Sequence, residues 1–260
     1  MAPILFKIGP FALYSLWVAL SVAFIVGTLL FLKRAKYQRI DLNFILDHSV
    51  SLLGGTLLGS RLIFFLMNWG YYGPLNWITP LKHIFFFWQP GYSFWGGILG
   101  FILVFLFHAV KKRENPIPWL DSVTMPFLIG MMITNVGQLL DGQGYGKETI
   151  LPWGITFEST NVKYTVPVHP TQIYSILLIV AILGTRKMIL EKWPRLKEEA
   201  HWWSILALTE YSFGRFLIEF FRGDDTVELL GIRLGQIIAL LVFVGLATFL
   251  YKNLKKNTSP

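Results

Sequence analysis

Apolar residues along this chain fall into seven runs, each close to the length of a membrane-crossing helix and each closed by a short polar or basic segment. About 20 apolar residues in helical form span a bilayer core, and the clearest run, Phe11 to Leu32, ends at Lys33 and Arg34. Its length and uncharged start set it apart from a cleaved signal peptide. The others are Phe44 to Met67, Ser93 to Val110, Trp119 to Leu140, Pro170 to about Leu190, Trp202 to Phe221 and Leu234 to Leu250. The pattern predicts an all-α, polytopic membrane protein of about seven transmembrane helices. No internal repeat and no linker to a soluble domain is visible, so residues 1–260 are expected to form a single integral membrane domain.

Charge gives the orientation, because positively charged connections stay in the cytoplasm. Fifteen Lys and Arg lie in segments 33–43, 111–118 and 185–200 and in the C-terminal tail, against six in the alternate set, Lys7, Lys82, Lys147, Lys163, Arg222 and Arg233. The N-terminus is expected outside and the C-terminus in the cytoplasm. Composition strengthens the membrane reading: 54% of residues are hydrophobic and 15% charged, with a mean hydropathy of +0.54. A net charge of +8 would suit nucleic acid, but the basic residues cluster beside apolar runs, where anionic head groups lie. Lipid, not nucleic acid, is the expected partner. With no cysteine, the chain has no disulfide, thiolate metal ligand or thiol nucleophile, and neither a metal nor a cofactor is expected. Any sulfur chemistry would use a substrate's thiol. Segment 68–92 carries Trp69, Tyr71, Tyr72, Trp77, Phe85, Phe86, Phe87 and Trp88, which reads as an interfacial aromatic arm or, alternatively, a ligand cage.

Charged groups are costly in lipid and mark function or a buried ion pair. At about 1.5 Å per residue, Arg61 lies roughly 26 Å along the second run, and Arg215 and Glu219 roughly 20 and 26 Å along the sixth, all in the outer leaflet. Trp95, Gly96 and Gly97 open the third run from outside; Asn135, Gln138 and Asp141 close the fourth; His169, Gln172 and Tyr174 open the fifth. Asp47, His48 and Asp121, at cytoplasmic ends, read as solvated or capping residues. Glu210 falls near mid-membrane, either paired or protonated.

Arg215 and Glu219 share a helix face. They form a buried ion pair that locks the bundle or, with Arg222, Asp224 and Asp225 continuing the polar run, a site where guanidinium meets a lipid phosphate. Arg61 ends the small-residue stretch Gly54–Ser60 and either joins that site or snorkels to the interface. The turn Asp141-Gly142-Gln143-Gly144-Tyr145-Gly146-Lys147 can aim backbone N–H groups at an anion or serve as a tight connection. In His169-Pro170-Thr171-Gln172-Ile173-Tyr174, proline suits the first helical position and Gln172 can reach back as in a capping box. His169 is also the candidate for moving a proton.

Taken in order, these segments resemble the bacterial prolipoprotein diacylglyceryl transferases, a seven-helix family with its N-terminus outside. The likeness spans nearly the whole chain. It rests on Ile8-Gly9-Pro10, Gly54-Gly55 to Arg61, Ser93-Phe94-Trp95-Gly96-Gly97-Ile98-Leu99-Gly100, the turn ending Tyr145-Gly146, Leu151 to Phe157, and above all His169 to Tyr174 and Gly214-Arg215-Phe216-Leu217-Ile218-Glu219-Phe220-Phe221-Arg222. The resemblance implies transfer of the diacylglyceryl group from phosphatidylglycerol to the cysteine thiol of a lipoprotein precursor, with release of glycerol phosphate, in the bacterial cytoplasmic (inner) membrane. It implies catalytic roles for His169, Arg215 and Glu219. Substrate contacts would come from Tyr14, Arg61, Trp95, Gly96, Gly97, Asn135, Gln138, Gln143, Tyr145, Gly146, Gln172, Tyr174 and Arg222. Several positions depart from the family's usual residues: Trp95 stands for His, Asn135 and Gln138 for Arg and Asn, Gln143 for an acid, and Leu16 for a tyrosine. The phosphate would then fall to Arg215 with Arg61 or Arg222. The alternative is a non-catalytic homologue that binds lipid or precursor; a small transporter or receptor is a third reading.

Overall fold

The computed structural model describes residues 3–9, 11–68, 84–86, 88, 91–158, 162–192, 201–226, 228–229 and 231–258. The expected arm residues Trp69, Tyr71, Tyr72, Trp77 and Phe87 lie outside them, and of the described ones Phe85 and Trp88 are exposed. Among the described residues, eight helices carry the architecture: α1 (Ser15–Tyr37), α2 (Asn43–Asp47), α3 (Ser49–Met67), α4 (Phe94–Lys112), α5 (Pro116–Asp141), α6 (Thr171–Lys192), α7 (His201–Glu219) and α8 (Leu234–Thr258). Two short antiparallel hairpins accompany them, β1 (Ile4–Ile8) with β2 (Phe11–Tyr14), and β3 (Glu228–Leu229) with β4 (Ile232–Arg233).

Five helices, α1, α3, α4, α5 and α8, are long and apolar enough to cross a membrane, and the chain is a multi-pass membrane protein. Their outward faces are apolar, as at Trp17, Phe24 and Leu29 of α1 and Leu241 of α8; such a surface is stable in lipid and costly in water. In α6 the apolar part is shorter, Thr171–Arg186, and α7 carries Glu210, Arg215 and Glu219.

Two run boundaries differ from expectation. Residues 11–14 do not begin the first helix: they pair with Ile4–Ile8 around Gly9, whose φ of 56° suits a residue without a Cβ. The second run breaks at His48, where φ −108° and ψ 8° end α2 and start α3; the His48 Nδ1 lies 2.7 Å from the Phe44 carbonyl oxygen.

The chain forms two units. One comprises residues 39–119, and α3 and α4 pack there backbone to backbone. A Cβ added at Gly59 would lie 2.5 Å from the Gly96 carbonyl oxygen and 2.9 Å from Gly100 Cα; one at Gly100 would strike the Gly55 carbonyl, and one at Gly96 the Gly59 carbonyl. Small residues at such crossings let helices approach where no hydrophobic effect drives them together. Ser93 caps α4, accepting from the Gly96 N–H, while the Ser60 hydroxyl donates to the Ser93 carbonyl (2.8 Å). At the far end of this unit Phe44, Phe105 and Trp119 pack ring on ring.

The other unit comprises residues 1–38 and 120–260. Its core is Leu128, Ile179, Ile182, Trp203 and Ala207, from α5, α6 and α7, and α7 packs against both α6 and α8. Helix α1 meets α5 at Gly137, where a Cβ would collide with Ala19. Asp121 is buried rather than solvated, with its carbonyl accepting from Arg34 Nε (3.2 Å). Glu210 is hydrogen-bonded, its Oε2 accepting from the Thr185 hydroxyl at 3.4 Å.

Close packing of α3 on α4 has a measurable consequence. Gly59→Ala is expected to cost about 1–3 kcal/mol, as overpacking does. Gly97→Ala, whose Cβ would meet its nearest neighbour at 3.5 Å, is expected to leave the melting temperature nearly unchanged. Thermal melts of the detergent-solubilised protein decide; equal melting in the two variants rejects the account.

Candidate functional site

Helix α7 ends in a buried carboxylate. Glu219 is 3% exposed, and its Oε1 accepts from Arg215 Nη2 at 2.5 Å, one helical turn earlier, and lies 3.6 Å from Arg222 Nη1. Its Oε2 accepts from Arg233 Nε at 2.9 Å. Asp224 closes the cluster: Oδ1 takes Arg222 Nε (2.8 Å) and Arg233 Nη2 (2.9 Å), Oδ2 takes Arg222 Nη2, and the Asp224 carbonyl takes Arg233 Nη1 (2.9 Å). Three guanidiniums thus face two carboxylates, a formal excess of one positive charge. The fork of Arg222 lies bidentate on Asp224, and Arg233 has all three of its nitrogens engaged. Arg215 makes one such bond among the described residues, so its Nε and Nη1 keep donors for a further oxygen.

Two glycines admit this cluster. A Cβ at Gly235 would lie 2.8 Å from Glu219 Oε1, so α8 must present glycine to the carboxylate, and one at Gly214 would enter the Leu178 side chain. At the start of α8, Gln236 Oε1 accepts from the Arg233 N–H (3.3 Å) and fixes the residue that carries the third guanidinium.

Beside the cluster, the glycine-rich turn is stitched by backbone bonds to the segments before α6 and after α7. The Gly146 N–H donates to the His169 carbonyl (2.9 Å), Lys147 N–H to Phe221 (2.8 Å), His169 N–H to Lys147 (2.9 Å) and Gly223 N–H to Tyr145 (3.0 Å). Gly146 has no room for a Cβ, which would meet His169 and, at 2.8 Å, the Phe221 carbonyl oxygen. The Thr171 hydroxyl donates to the Gly144 carbonyl and the Gln172 amide to the Gln143 carbonyl (2.6 Å). Gln172 therefore braces the turn instead of capping its own helix, and its buried Oε1 has no hydrogen-bond partner among the described residues. His169 Nδ1 lies 2.9 Å from Tyr174 Oη, which also accepts from Trp153 Nε1 (2.9 Å). The imidazole stacks edgewise on Phe221, ring centroids 5.1 Å apart.

One unit therefore gathers Arg215, Glu219, Arg222, Gln138, Gln143, Tyr145, Gly146, His169, Gln172 and Tyr174. Gln138 and Arg222 both flank Gly144, whose φ of 67° favours glycine. Tyr145 is buried, its hydroxyl accepting from the Lys163 N–H (3.3 Å) within a cluster of Phe157 and Val168. Asn135 is buried too, its amide donating to the Met131 carbonyl of the same helix (2.7 Å). Tyr14 ends β2 and is exposed.

Arg61, Trp95, Gly96 and Gly97 belong to the other unit. There Arg61 is buried instead of snorkelling; it donates to the Gly91 carbonyl (2.7 Å) and the Phe86 carbonyl and lies 4.9 Å from the centroid of the Tyr92 ring. Gly96 is occupied by packing on α3, while Gly97 keeps space and Trp95 is partly exposed.

Sequence reasoning missed Arg233 as a site residue and undervalued Asp224, read above as one member of a continuing polar run. Their signal was faint: two residues of opposite charge nine positions apart, one before a short hairpin and one at its end.

These features define a class, the multi-pass membrane proteins whose polar site is assembled from helix ends and the loops that join them. The family model of prolipoprotein diacylglyceryl transferase matches residues 3–252. Among curated proteins, the chain is 30% identical over 268 residues to the phosphatidylglycerol–prolipoprotein diacylglyceryl transferase of Wolbachia sp. subsp. Drosophila simulans (strain wRi), covering 98% of this chain and 97% of that one. It is 28% identical to the protein of the same name from Clostridioides difficile (strain 630), with 96% of each chain covered. To that of Chloroherpeton thalassium it is 25% identical, covering 98% and 94%. The chain belongs to the prolipoprotein diacylglyceryl transferase family.

Burial alone would raise the pKa of Asp224, but the hydrogen bond and charge of Arg222, and then Arg233, outweigh it and hold the carboxyl below its ordinary 3.8. A depressed acid contributes stability that is fully present above its unfolded-state pKa and is lost as pH falls through the folded one. Asp224→Asn is thus expected to cost about 1–3 kcal/mol, equally at about pH 7 and about pH 5, the gap from the parent narrowing only below 3.8. A gap that narrows already between those two pH values, in melts of both proteins, rejects the assignment.

Proposed function

We propose that this protein transfers the diacylglyceryl group of phosphatidylglycerol to the cysteine thiol of a lipoprotein precursor, at the outer leaflet of the bacterial cytoplasmic membrane. Relatives along the whole chain bear the name of that activity. The observation that carries the chemistry is Arg215, held by Glu219 through one nitrogen with two more left to donate. In the reaction the precursor's sulfur attacks the glyceryl carbon bearing the phosphate; the C–S bond forms, the C–O bond breaks, and its electron pair leaves with glycerol phosphate. Guanidinium donors suit the charge that grows on that phosphate. The thiol must lose its proton. His169 takes it when Nδ1–H donates to Tyr174 Oη, since that tautomer leaves the Nε2 lone pair free. Arg222, Gln138, Gln143, Tyr145, Gly146, Gln172 and Tyr174 shape the phosphate side, with Tyr14, Asn135, Arg61, Trp95 and Gly97 assigned to substrate contact by the family resemblance, while Gly96 serves the packing of α4 on α3.

A second reading, a homologue that binds lipid or precursor without catalysis, is favoured by one observation: the Asn135 amide is bonded within its own helix, at a position where the family resemblance implies an arginine. Purified protein with phosphatidylglycerol and a precursor peptide separates the two. The transfer reading expects a peptide mass gain of one diacylglyceryl group; lipid binding with no thioether product supports the second. In the same assay Arg215→Lys keeps the charge beside Glu219 and loses the fork, for a rate loss of roughly 10- to 150-fold without unfolding. His169→Ala is expected to lose activity that His169→Asn does not restore; near-normal turnover in both rejects the base role.

The same proposal takes residues 1–260 as one integral membrane domain whose seven long helices all span, N-terminus outside and C-terminus in the cytoplasm. The fifteen-to-six distribution of Lys and Arg supports it. In this cysteine-free chain, single cysteines at the exposed positions Ile150 and Thr226 are expected to react with an impermeant outside reagent, and those at Lys112 and Lys252 to be protected. The reverse labelling overturns the orientation.

A further inference from the structure

At the other end of the unit formed by residues 1–38 and 120–260, two arginines converge with no role in the site above. Arg34 of α1 and Arg186 of α6 each place Nη1 3.6 Å from the Met125 sulfur of α5. Arg186 lies 15 positions beyond Thr171, roughly 22 Å along α6 at about 1.5 Å per residue, and is far from the glycine-rich turn. A thioether is a weak acceptor that neutralises no charge. Arg34 feels both the positive charge of Arg186 and the negative charge of Asp121, and its Nε is spent on the Asp121 carbonyl. Among the described residues, one carboxylate, that of Asp121, stands against two guanidiniums. Arg186 lies over the face of Trp203, its central carbon 4.8 Å from the ring centroid, an arrangement that fixes the plane of the guanidinium and leaves its edge to donate. Its Nε is buried without a hydrogen-bond partner among the described residues, which is costly unless an acceptor comes to it. Neither arginine takes part in a salt bridge among the described residues.

We propose that Arg34 and Arg186 form a second anion site, clamping one phosphate group between α1, α5 and α6 at the membrane end opposite the transfer site. Paired guanidiniums match phosphate oxygens in geometry and charge, and basic pockets between transmembrane helices are places where phospholipid head groups bind. The same chemistry is offered by a free phosphate. The proposal does not rest on the transfer reading.

The test is binding to the purified full-length protein in the Arg215→Lys background, which weakens the other phosphate position. Native mass spectrometry with phosphatidic acid is expected to show one bound lipid that diacylglycerol, lacking the phosphate, does not supply. Arg34→Gln/Arg186→Gln should weaken that binding by about tenfold or more, as expected for loss of charge-assisted contacts. A parallel thermal melt with inorganic phosphate distinguishes the sources: protection by phosphate alone that the double variant lacks identifies a free anion, and protection by the lipid only identifies a head group. If the double variant does not fold, Arg186→Gln, which keeps the bond from Arg34 to the Asp121 carbonyl, decides. Undiminished phosphatidic acid binding in a folded variant, or no phosphate-dependent binding in the parent, overturns the proposal.

Discussion

The Glu219 carboxylate is the constraint around which the polar cluster at the end of α7 is organised. An ionised carboxylate buried near a bilayer is tolerable only if its oxygens are met by strong donors, and Glu219 meets guanidiniums from its own helix, from the turn after it and from β4, just before α8. Each partner imposes a condition. Arg215 must stand one turn earlier on the same face of α7. Arg222 must fold back across the helix end, and the chain must reverse through a hairpin so that Arg233 arrives beside it. Residue 235 must lack a Cβ so that α8 can close on the carboxylate. Removing Glu219 would leave three like charges together with Asp224 alone to balance them, so the local fold and the charge cluster are one structure.

What the cluster positions, the backbone ladder around Gly146 extends. Gly146 and His169 precede α6 and Phe221 follows α7, yet their N–H and C=O groups, with those of Lys147, pair within hydrogen-bond distance. Buried peptide groups at a membrane end must find partners in the protein, and here they find each other. His169 is thereby tied to the same frame as Arg222, although no side-chain bond joins them. A change at Gly146 would move the imidazole and the arginine turn together, because a Cβ there would meet both sides of the ladder.

The helices were legible because bilayer thickness writes itself into run length; α1 and α8 continue past the apolar runs, to Tyr37 and Thr258 instead of Leu32 and Leu250, and two helix starts were misread. Those two failed for a shared physical reason. Phe11–Tyr14 and Asn43–Asp47 are apolar enough to continue a helix, but their conformation is decided by pairing and packing with other segments, β1 in one case and the Phe105–Trp119 aromatics in the other. Arg215 and Glu219 were readable from their four-residue spacing alone. Asp224 and Arg233 were not, since their meeting depends on a hairpin closing between them. Gly96 illustrates the opposite error available to sequence reading: a glycine beside a candidate site suggests ligand approach, whereas the neighbour it admits is α3. Arg61, too, spends donors on the Gly91 and Phe86 carbonyls, a role in holding the chain before α4 that its depth in the membrane did not reveal.

The unequal engagement of the three guanidiniums bears on how the proposed reaction would be accelerated. A phosphodiester carries one negative charge, and the departing phosphate acquires a second as the C–O bond breaks. A cluster that is neutral overall would gain little from that change, whereas an excess of one positive charge, fixed in place before the substrate arrives, interacts more strongly with the more highly charged transition state. Fixing matters because donors already oriented do not need to reorganise during the reaction. Arg222 and Arg233 are held by Asp224 through two bonds each and supply field without moving. Arg215, held through one nitrogen, is both anchored and able to donate. On this division of roles the two carboxylates do not merely offset charge. Glu219 and Asp224 take up two nitrogens of Arg222 and all three of Arg233, so that Arg215, held through one, keeps the most donors for the phosphate of the proposed reaction, which gives a site for an anion a reason to contain two acids.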